Sequence, residues 1–332
     1  MLQRPKMSSI FIKKSEPKPS IVFDTYWKFA VERQNIFFNR IEKQKILTED
    51  PIFLKHKFTN AYRASDRVSQ FLIRKVIYSD RGYSSLDILF RIVLFKIFNK
   101  ISTWQLIEGE IENISVGTFD FNRYNQILSE ARKEREAIYS GAYIMTSGKS
   151  IFGHDFKHEN HLKLIEKYIL NSKFMDSVQS CKSLEQLFFL LKELPTIGDF
   201  LAYQYAIDIN YSELTNFSEM DFVMPGPGAK DGIKKCFVSY GDYSEADIIR
   251  WVTDRQDVEF ERLGLGFKKL WGRSLQLIDC QNLFCETDKY ARVAHPEIIG
   301  LSERKRIKQI FKKANSDIQY WYPPKWNIKT EL

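Results

Sequence analysis

The chain has 332 residues, 44% hydrophobic and 14% aromatic, which is enough apolar content to bury a large core in one large domain or two lobes. No apolar run approaches the length of a membrane span, and the N-terminal residues hold no stretch of signal-peptide length, so a cytoplasmic protein is expected. The net charge of +8 lies at the ends: residues 1–20 carry +4 and residues 301–332 carry +5, leaving −1 between them. Such ends either attract phosphate without setting specificity or simply aid solubility.

Residues 1–20, with Pro5, Pro17 and Pro19 among lysines and serines, read as a flexible basic tail, and 21–332 as a single catalytic domain of two helical lobes. Phe23, Trp27, Ala30, Val31, Phe37, Phe38 and Ile41 recur at helical spacing, which predicts a helix from Val22 to about Lys45. Glu32 inside it is either a site acid or a surface glutamate. A second helix is predicted over Asn60 to Val76, placing Asn60, Arg63, Arg67, Gln70 and Arg74 on one stripe. Guanidinium forks and amides on one stripe suit phosphate or base edges, although an amphipathic helix with a solvated basic face has the same pattern.

Leu86 to Phe98 reads as a core helix capped by Ser84 and Asp87, and Asn122 to Glu136 as a peripheral one. Tyr139 to Phe156 holds three glycines and reads as a loop. Within it Gly148-Lys149-Ser150 looks like the end of a phosphate-binding loop, but six residues separate Gly141 from Gly148 where that motif needs four. No ATP-binding kinase domain is therefore expected. His154, His158 and His161 fall one residue short of a zinc-binding HExxH and are taken as a polar loop-to-helix junction.

Ser183 and Gln186 cap a helix that delivers the chain into Leu194-Pro195-Thr196-Ile197-Gly198, and Phe200 to Ile209 follows as a helical segment. Ser244 to Val252 and Val258 to Leu263 are short helices. Trp271 and Arg273 are available to stack on a base or to close the core. Ser302 is expected to cap a basic helix ending near Ala314, and the aromatic tail Tyr320 to Trp326 to pack back on the body. The four cysteines, Cys181, Cys236, Cys280 and Cys285, are too few and scattered for a disulfide framework, so free thiols are expected.

Two resemblances organise these elements. Leu194-Pro195-Thr196-Ile197-Gly198 followed by Ala202 resembles the hairpin of helix-hairpin-helix DNA glycosylases, whose catalytic aspartate lies some twenty residues on, where this chain has Asp221. Phe58 to Arg63, Asp66 to Gln70, Asp221 to Val223 with Gly226 to Ala229, and Cys285-Glu286 with Asp288 to Tyr290 resemble the α-glutamyl/putrescinyl thymine pyrophosphorylase family. That family is akin to the helical domain of 5-hydroxymethyluracil DNA kinases. The resemblance implies an all-α, two-lobed helix-hairpin-helix glycosylase-like fold acting on hypermodified bases of phage DNA.

On this reading Thr196, Ile197 and Gly198, with Gly226, Gly228 and Lys230, hold the DNA backbone, Gly226-Pro227-Gly228-Ala229 forming a rigid turn whose open backbone a phosphate can approach. Asn60, Tyr62, Arg63, Asp66, Arg67 and Gln70 wall a pocket for an extruded base, and Asp221, with Glu32, does the chemistry. A carboxylate beside the sugar stabilises oxocarbenium character in N-glycosidic cleavage. Phe200 stands where bifunctional enzymes of the resemblance carry a lysine nucleophile, so no Schiff base can form. Thr196 stands where a hairpin glycine is usual, and threonine adopts positive φ only at a cost.

The expectation drawn from this is a monofunctional DNA glycosylase of anti-phage defence. It would excise a modified pyrimidine such as α-glucosyl-hydroxymethylcytosine and leave an abasic site, as a monomer with DNA as partner and without metal or cofactor. The alternatives are a transferase that displaces pyrophosphate from 5-(pyrophosphoryloxymethyl)uracil with an amine, and a non-catalytic DNA-binding module.

Overall fold

The computed structural model describes residues 14–312 and 319–329. Its regular structure is mostly helical. In chain order come α1 (Ile21–Ile41), α2 (Pro51–Lys55), α3 (Arg67–Phe71), α4 (Ser85–Phe98), α5 (Ile101–Glu110), α6 (Phe121–Lys133), α7 (Lys149–Phe152), α8 (Lys157–Leu164), α9 (Ser172–Ser180), α10 (Leu184–Lys192) and α11 (Asp199–Asn210). After them follow α12 (Pro227–Cys236), α13 (Glu245–Asp254), α14 (Gln256–Arg262) and α15 (Leu277–Ala294). Two short strands, β1 (Lys18–Pro19) and β2 (Phe237–Ser239), pair antiparallel. No helix among the described residues is long and apolar enough to cross a membrane.

Caps decide several boundaries. Ser84 and Asp87 exchange side chain and backbone in a capping box that starts α4, Ser183 accepts from Gln186 N ahead of α10, and Ser244 does the same for α13. α4 is buried over its last ten residues, Arg91 and Lys96 included, and α11 is buried from Leu201 to Asn210. One contiguous core runs through α1, α4, α10, α11 and α15.

Four predicted features differ. Residues 14–20, expected as tail, lie along the protein: Ser15 N donates to Asp242 at 2.7 Å and Ser20 N to Cys236 O at 2.8 Å. Asn60 to Val76 is not one helix but a turn with a 3-10 segment (Arg63–Ser65), then α3, then a π-helical segment (Leu72–Ile77). The residues after Ser302 form no helix up to Lys312, because the Ser302 hydroxyl donates to Asp231 at 2.5 Å and accepts from Arg304 Nε at 2.7 Å rather than capping a helix; Ala314 lies outside the described residues. Gly226-Pro227-Gly228-Ala229 is not a free turn: Gly226 is the N-cap of α12 and Pro227 its first residue.

The α12 and α15 helices come close because glycine lets them. A Cβ added to Gly228 would overlap the Cys285 side chain, and one added to Gly232 would stand 2.6 Å from the Phe284 carbonyl carbon. The expected histidine junction is also present. His158 meets Ser129 at 3.0 Å and Asn125 at 2.9 Å, while His161 meets Tyr139 at 2.9 Å and Thr146 O at 2.8 Å. Burial pushes both rings down to about 4.

Candidate active site

The site is built on α15. Asp279 and Glu286 are seven residues apart, two helical turns, and so share a side of the helix. Asp279 Oδ1 accepts from Arg63 N at 2.8 Å and Glu286 Oε2 from Thr59 N at 3.0 Å, which stretches residues 59–63 along that side. Asp66 Oδ1 then accepts from Asn60 N at 2.8 Å, and Asn60 Nδ2 donates to Ser65 O at 2.6 Å, closing the turn. These carboxylates, with the Asn60 amide on Ser65 O, pin residues 59–66 into a turn held by side chains, and the predicted helix does not start here.

Cations surround this turn. Arg33 of α1 donates from Nε to Thr59 O at 2.8 Å; its Nη1 is buried without a hydrogen-bond partner among the described residues. Burial pushes Arg33 down to about 10, with Asp66 the main charge opposing the shift. Lys289 Nζ lies 2.7 Å from Glu286 and over the Phe58 ring. Asp66 is pushed up to about 6 by loss of water, against the Asn60 N–H and Arg33. Arg67, the next residue, is exposed. Of the four stretches that carried the family resemblance, those at 58–63, 66–70 and 285–290 thus meet here, and Gly228 packs the fourth against Cys285.

The stripe expected from periodicity does not exist. Arg63 points inward, Arg67 outward, and Arg74 binds Gln319 at 2.8 Å and 3.0 Å. Asn60, Tyr62 and Gln70 are occupied in holding the fold. The Tyr62 hydroxyl donates to Arg273 O at 2.6 Å, and Gln70 bridges Ala64 O at 2.8 Å and the Trp321 backbone at 2.8 Å and 3.0 Å.

Arg63 reaches a second, deeper polar centre. Its guanidinium meets Asp208 at 2.7 Å, Gln204 Oε1 at 3.0 Å and the Tyr211 hydroxyl at 2.9 Å. Lys96 takes the other Asp208 oxygen at 2.8 Å and sits over the Tyr143 ring. Burial opposes the charge on Arg63, but Asp208 and its neighbours outweigh that and hold its pKa up; Lys96 is pushed down to about 8 by burial. Glu219 lies 3.4 Å from Arg273 and is raised by burial, and Asp279 is pushed up to about 7 by burial with Glu219 adding to it. None of Lys96, Gln204, Asp208, Glu219 and Asp279 was singled out from the sequence. The available signal was Lys96 and Asp208 standing inside otherwise apolar helices.

The remaining predicted residues lie elsewhere. Asp221 is exposed, and its carbonyl accepts from Arg250 of α13. Glu32 accepts from the Thr48 hydroxyl and lines an open cavity of about 700 Å³ between α1, α2 and α15. Thr196 takes φ +70°, the left-handed conformation its position demands, with its methyl against Gly148; Ile197 is buried and Gly198 is the exposed N-cap of α11. Gly226 is buried against the Phe200 ring, which stacks on Tyr143, and Lys230 pairs with Glu245 at 3.1 Å. In the phosphate-loop-like segment, Lys149 begins the single-turn α7 and pairs with Asp155 at 2.8 Å.

Residues 20–300 match the family described as 5-hmdU DNA kinase, helical domain. The chain belongs to that family. It is similar to a 5-hmdU DNA kinase of Bacillus phage SP10, 29% identical over 322 residues that cover 91% of this chain and 50% of the relative. The chain thus spans half the length of that curated relative. No solved structure matches it. Membership corrects the excision reading. The hairpin-to-Asp221 spacing suggested a glycosylase acting in anti-phage defence, but the family and the named relative point to modification of a thymine-type base in DNA, not to its removal.

Proposed function

We propose that this chain is an enzyme that modifies a 5-substituted uracil in DNA by replacing pyrophosphate on its 5-methylene group with an amine. The observation that carries the reading is the meeting of the family's motif stretches at one turn, where the Asp66 carboxyl, pushed up to about 6, stands beside Arg33 and the Lys289–Glu286 pair. In the proposed step the amine nitrogen bonds to the 5-methylene carbon, the carbon–oxygen bond to the diphosphate breaks, and pyrophosphate leaves with that electron pair. The proton lost by the amine goes to Asp66. A carboxylate with a pKa near 6 is ionised at neutral pH yet basic enough to accept it.

The leaving diphosphate is received by Arg33 Nη1, which has no partner among the described residues, by exposed Arg67 and by Lys289. A base inside a duplex is out of reach of buried groups, so the reading includes extrusion of the base. It also includes a two-lobed helix-hairpin-helix arrangement, in which the turn ending at Gly198 lies on the backbone phosphates of the DNA.

The test is incubation of the protein with an oligonucleotide carrying one 5-(pyrophosphoryloxymethyl)uracil, with glutamate or putrescine as donor, and Asp66→Asn alongside. Mass analysis is expected to show the amine adduct and free pyrophosphate in equal amounts, both lost in the variant. Recovery of unchanged substrate base from the wild-type reaction would sink the proposal.

A further inference from the structure

Around Arg63, apart from the Asp208 oxygens held in its ion pairs, three buried polar atoms have no hydrogen-bond partner among the described residues: the Tyr203 hydroxyl, Gln204 Nε2 and Glu219 Oε1. Tyr203 and Gln204 are fully buried and Glu219 is 5% exposed. An unpaired polar atom away from water is destabilising, so three in one neighbourhood need a reason. Gln204 and Glu219 are held by partners on their other atoms. Gln204 Oε1 accepts from Arg63 Nε at 3.0 Å, which leaves its NH2 group as the free end, and Glu219 Oε2 faces Arg273 at 3.4 Å. Glu219 is the leading charge acting on Tyr203, and Arg63 acts on both.

The set therefore offers a hydroxyl donor, an amide donor and a carboxylate acceptor. The pairing edge of uracil presents acceptor, donor, acceptor as O2, N3–H and O4; cytosine presents two acceptors and an amino donor. We propose that Tyr203, Gln204 and Glu219 read the pairing edge of the extruded base and select uracil over cytosine, Glu219 accepting from N3–H while the other two donate to O2 and O4. This rests on the reading above that the substrate is a uracil taken out of the duplex. A carboxylate opposite cytosine N3 would face a lone pair, and that repulsion sets the selectivity.

The loop that carries Glu219 is fastened through its own carbonyls. Lys325 donates to Ser212 O at 2.7 Å and Thr215 O at 2.6 Å, and Arg250 to Met220 O at 2.8 Å. In this proposal, entry of the base parts the loop from the centre.

The test is competition binding to the full chain of single-stranded oligonucleotides that differ in one base: 5-hydroxymethyluracil, its N3-methyl derivative or 5-hydroxymethylcytosine. The wild type is expected to bind the first at least about fivefold more tightly than the other two, the ratio given by about 1 kcal/mol, the lower end of the cost of one unmatched buried partner. Tyr203→Phe removes only the unpaired hydroxyl and keeps the ring on Phe222. It should weaken 5-hydroxymethyluracil binding about three- to tenfold without lowering thermal stability. Glu219→Gln should narrow the uracil-to-cytosine ratio, because an amide can donate to N3 as well as accept.

Equal binding of all three oligonucleotides by the wild type, or unchanged binding by Tyr203→Phe, overturns the edge readout. The transfer assay separates the two proposals: adduct formation with no base preference defeats this inference alone, and base preference without adduct defeats the proposed reaction alone.

Discussion

Gly232→Ala is the sharpest test of how α12 meets α15. The added Cβ would lie 2.6 Å from the Phe284 carbonyl carbon and 3.0 Å from its Cα, and these backbone atoms of a buried helix cannot swing aside as a side-chain tip can. Overpacking of this kind costs about 3 kcal/mol at the upper end of its range, and alanine returns about 1 kcal/mol of helix propensity. The net loss is about 2 kcal/mol, or roughly 3 °C in melting temperature for a chain of this size. Gly109→Ala is the control. It lies exposed near the end of α5 with nothing within 4 Å of the new Cβ, so propensity alone acts and stability rises by up to about 1 kcal/mol. Circular dichroism melts of both variants decide the matter. If Gly232→Ala melts at or above the wild-type temperature, the two helices do not touch there and the placement of Asp279 and Glu286 under residues 59–63 loses its support.

Three further outcomes are expected. Asp208→Asn leaves Arg63 and Lys96 buried without their shared counter-ion and should destabilise the protein by about 3–5 kcal/mol, measured by urea unfolding. Transfer activity should rise with pH through about 6 as Asp66 ionises and then level off; a rate already maximal at pH 5 would exclude Asp66 as the base. Because its folded pKa is raised, the stability Asp66 contributes is present below the ordinary carboxylate range and lost as pH climbs through about 6, so activity and this share of stability move in opposite directions. Thr196→Gly relieves a β-branched residue held at φ +70° and should hold or raise the melting temperature, the gain being about 1 kcal/mol; a clear loss would mean that the methyl contact with Gly148 outweighs the strain.

Helices whose apolar spacing was unbroken and whose caps were explicit were legible in the sequence, as α1, α4, α10 and α13 show. The turn at 59–66 was not. Its shape depends on Asp279 and Glu286, and nothing local announces that backbone N–H groups will be claimed by carboxylates from the far end of the chain. α15 itself was missed because its buried face mixes Asp279, Gln281, Glu286 and Asp288 with Leu283 and Phe284, which blurs the apolar period. The glycines before and inside α12 read as a turn for the same reason: their purpose, closeness to another helix, lies outside their own segment. Motif resemblance picked out stretches that come together at this turn, while periodicity assigned Arg63 and Gln70 to a surface they do not occupy.

The distances along the chain between these partners govern when the turn can exist at all. Thr59 waits for a carboxylate 227 residues later and Arg63 for one 216 residues later. On a ribosome the N-terminal part is made long before α15 emerges, so the turn must stay open, or be held in some other pairing, for most of synthesis. Assembly of the site is therefore a late event in folding, and a chain cut anywhere before Glu286 would keep its early helices yet never close the turn around which its motifs gather.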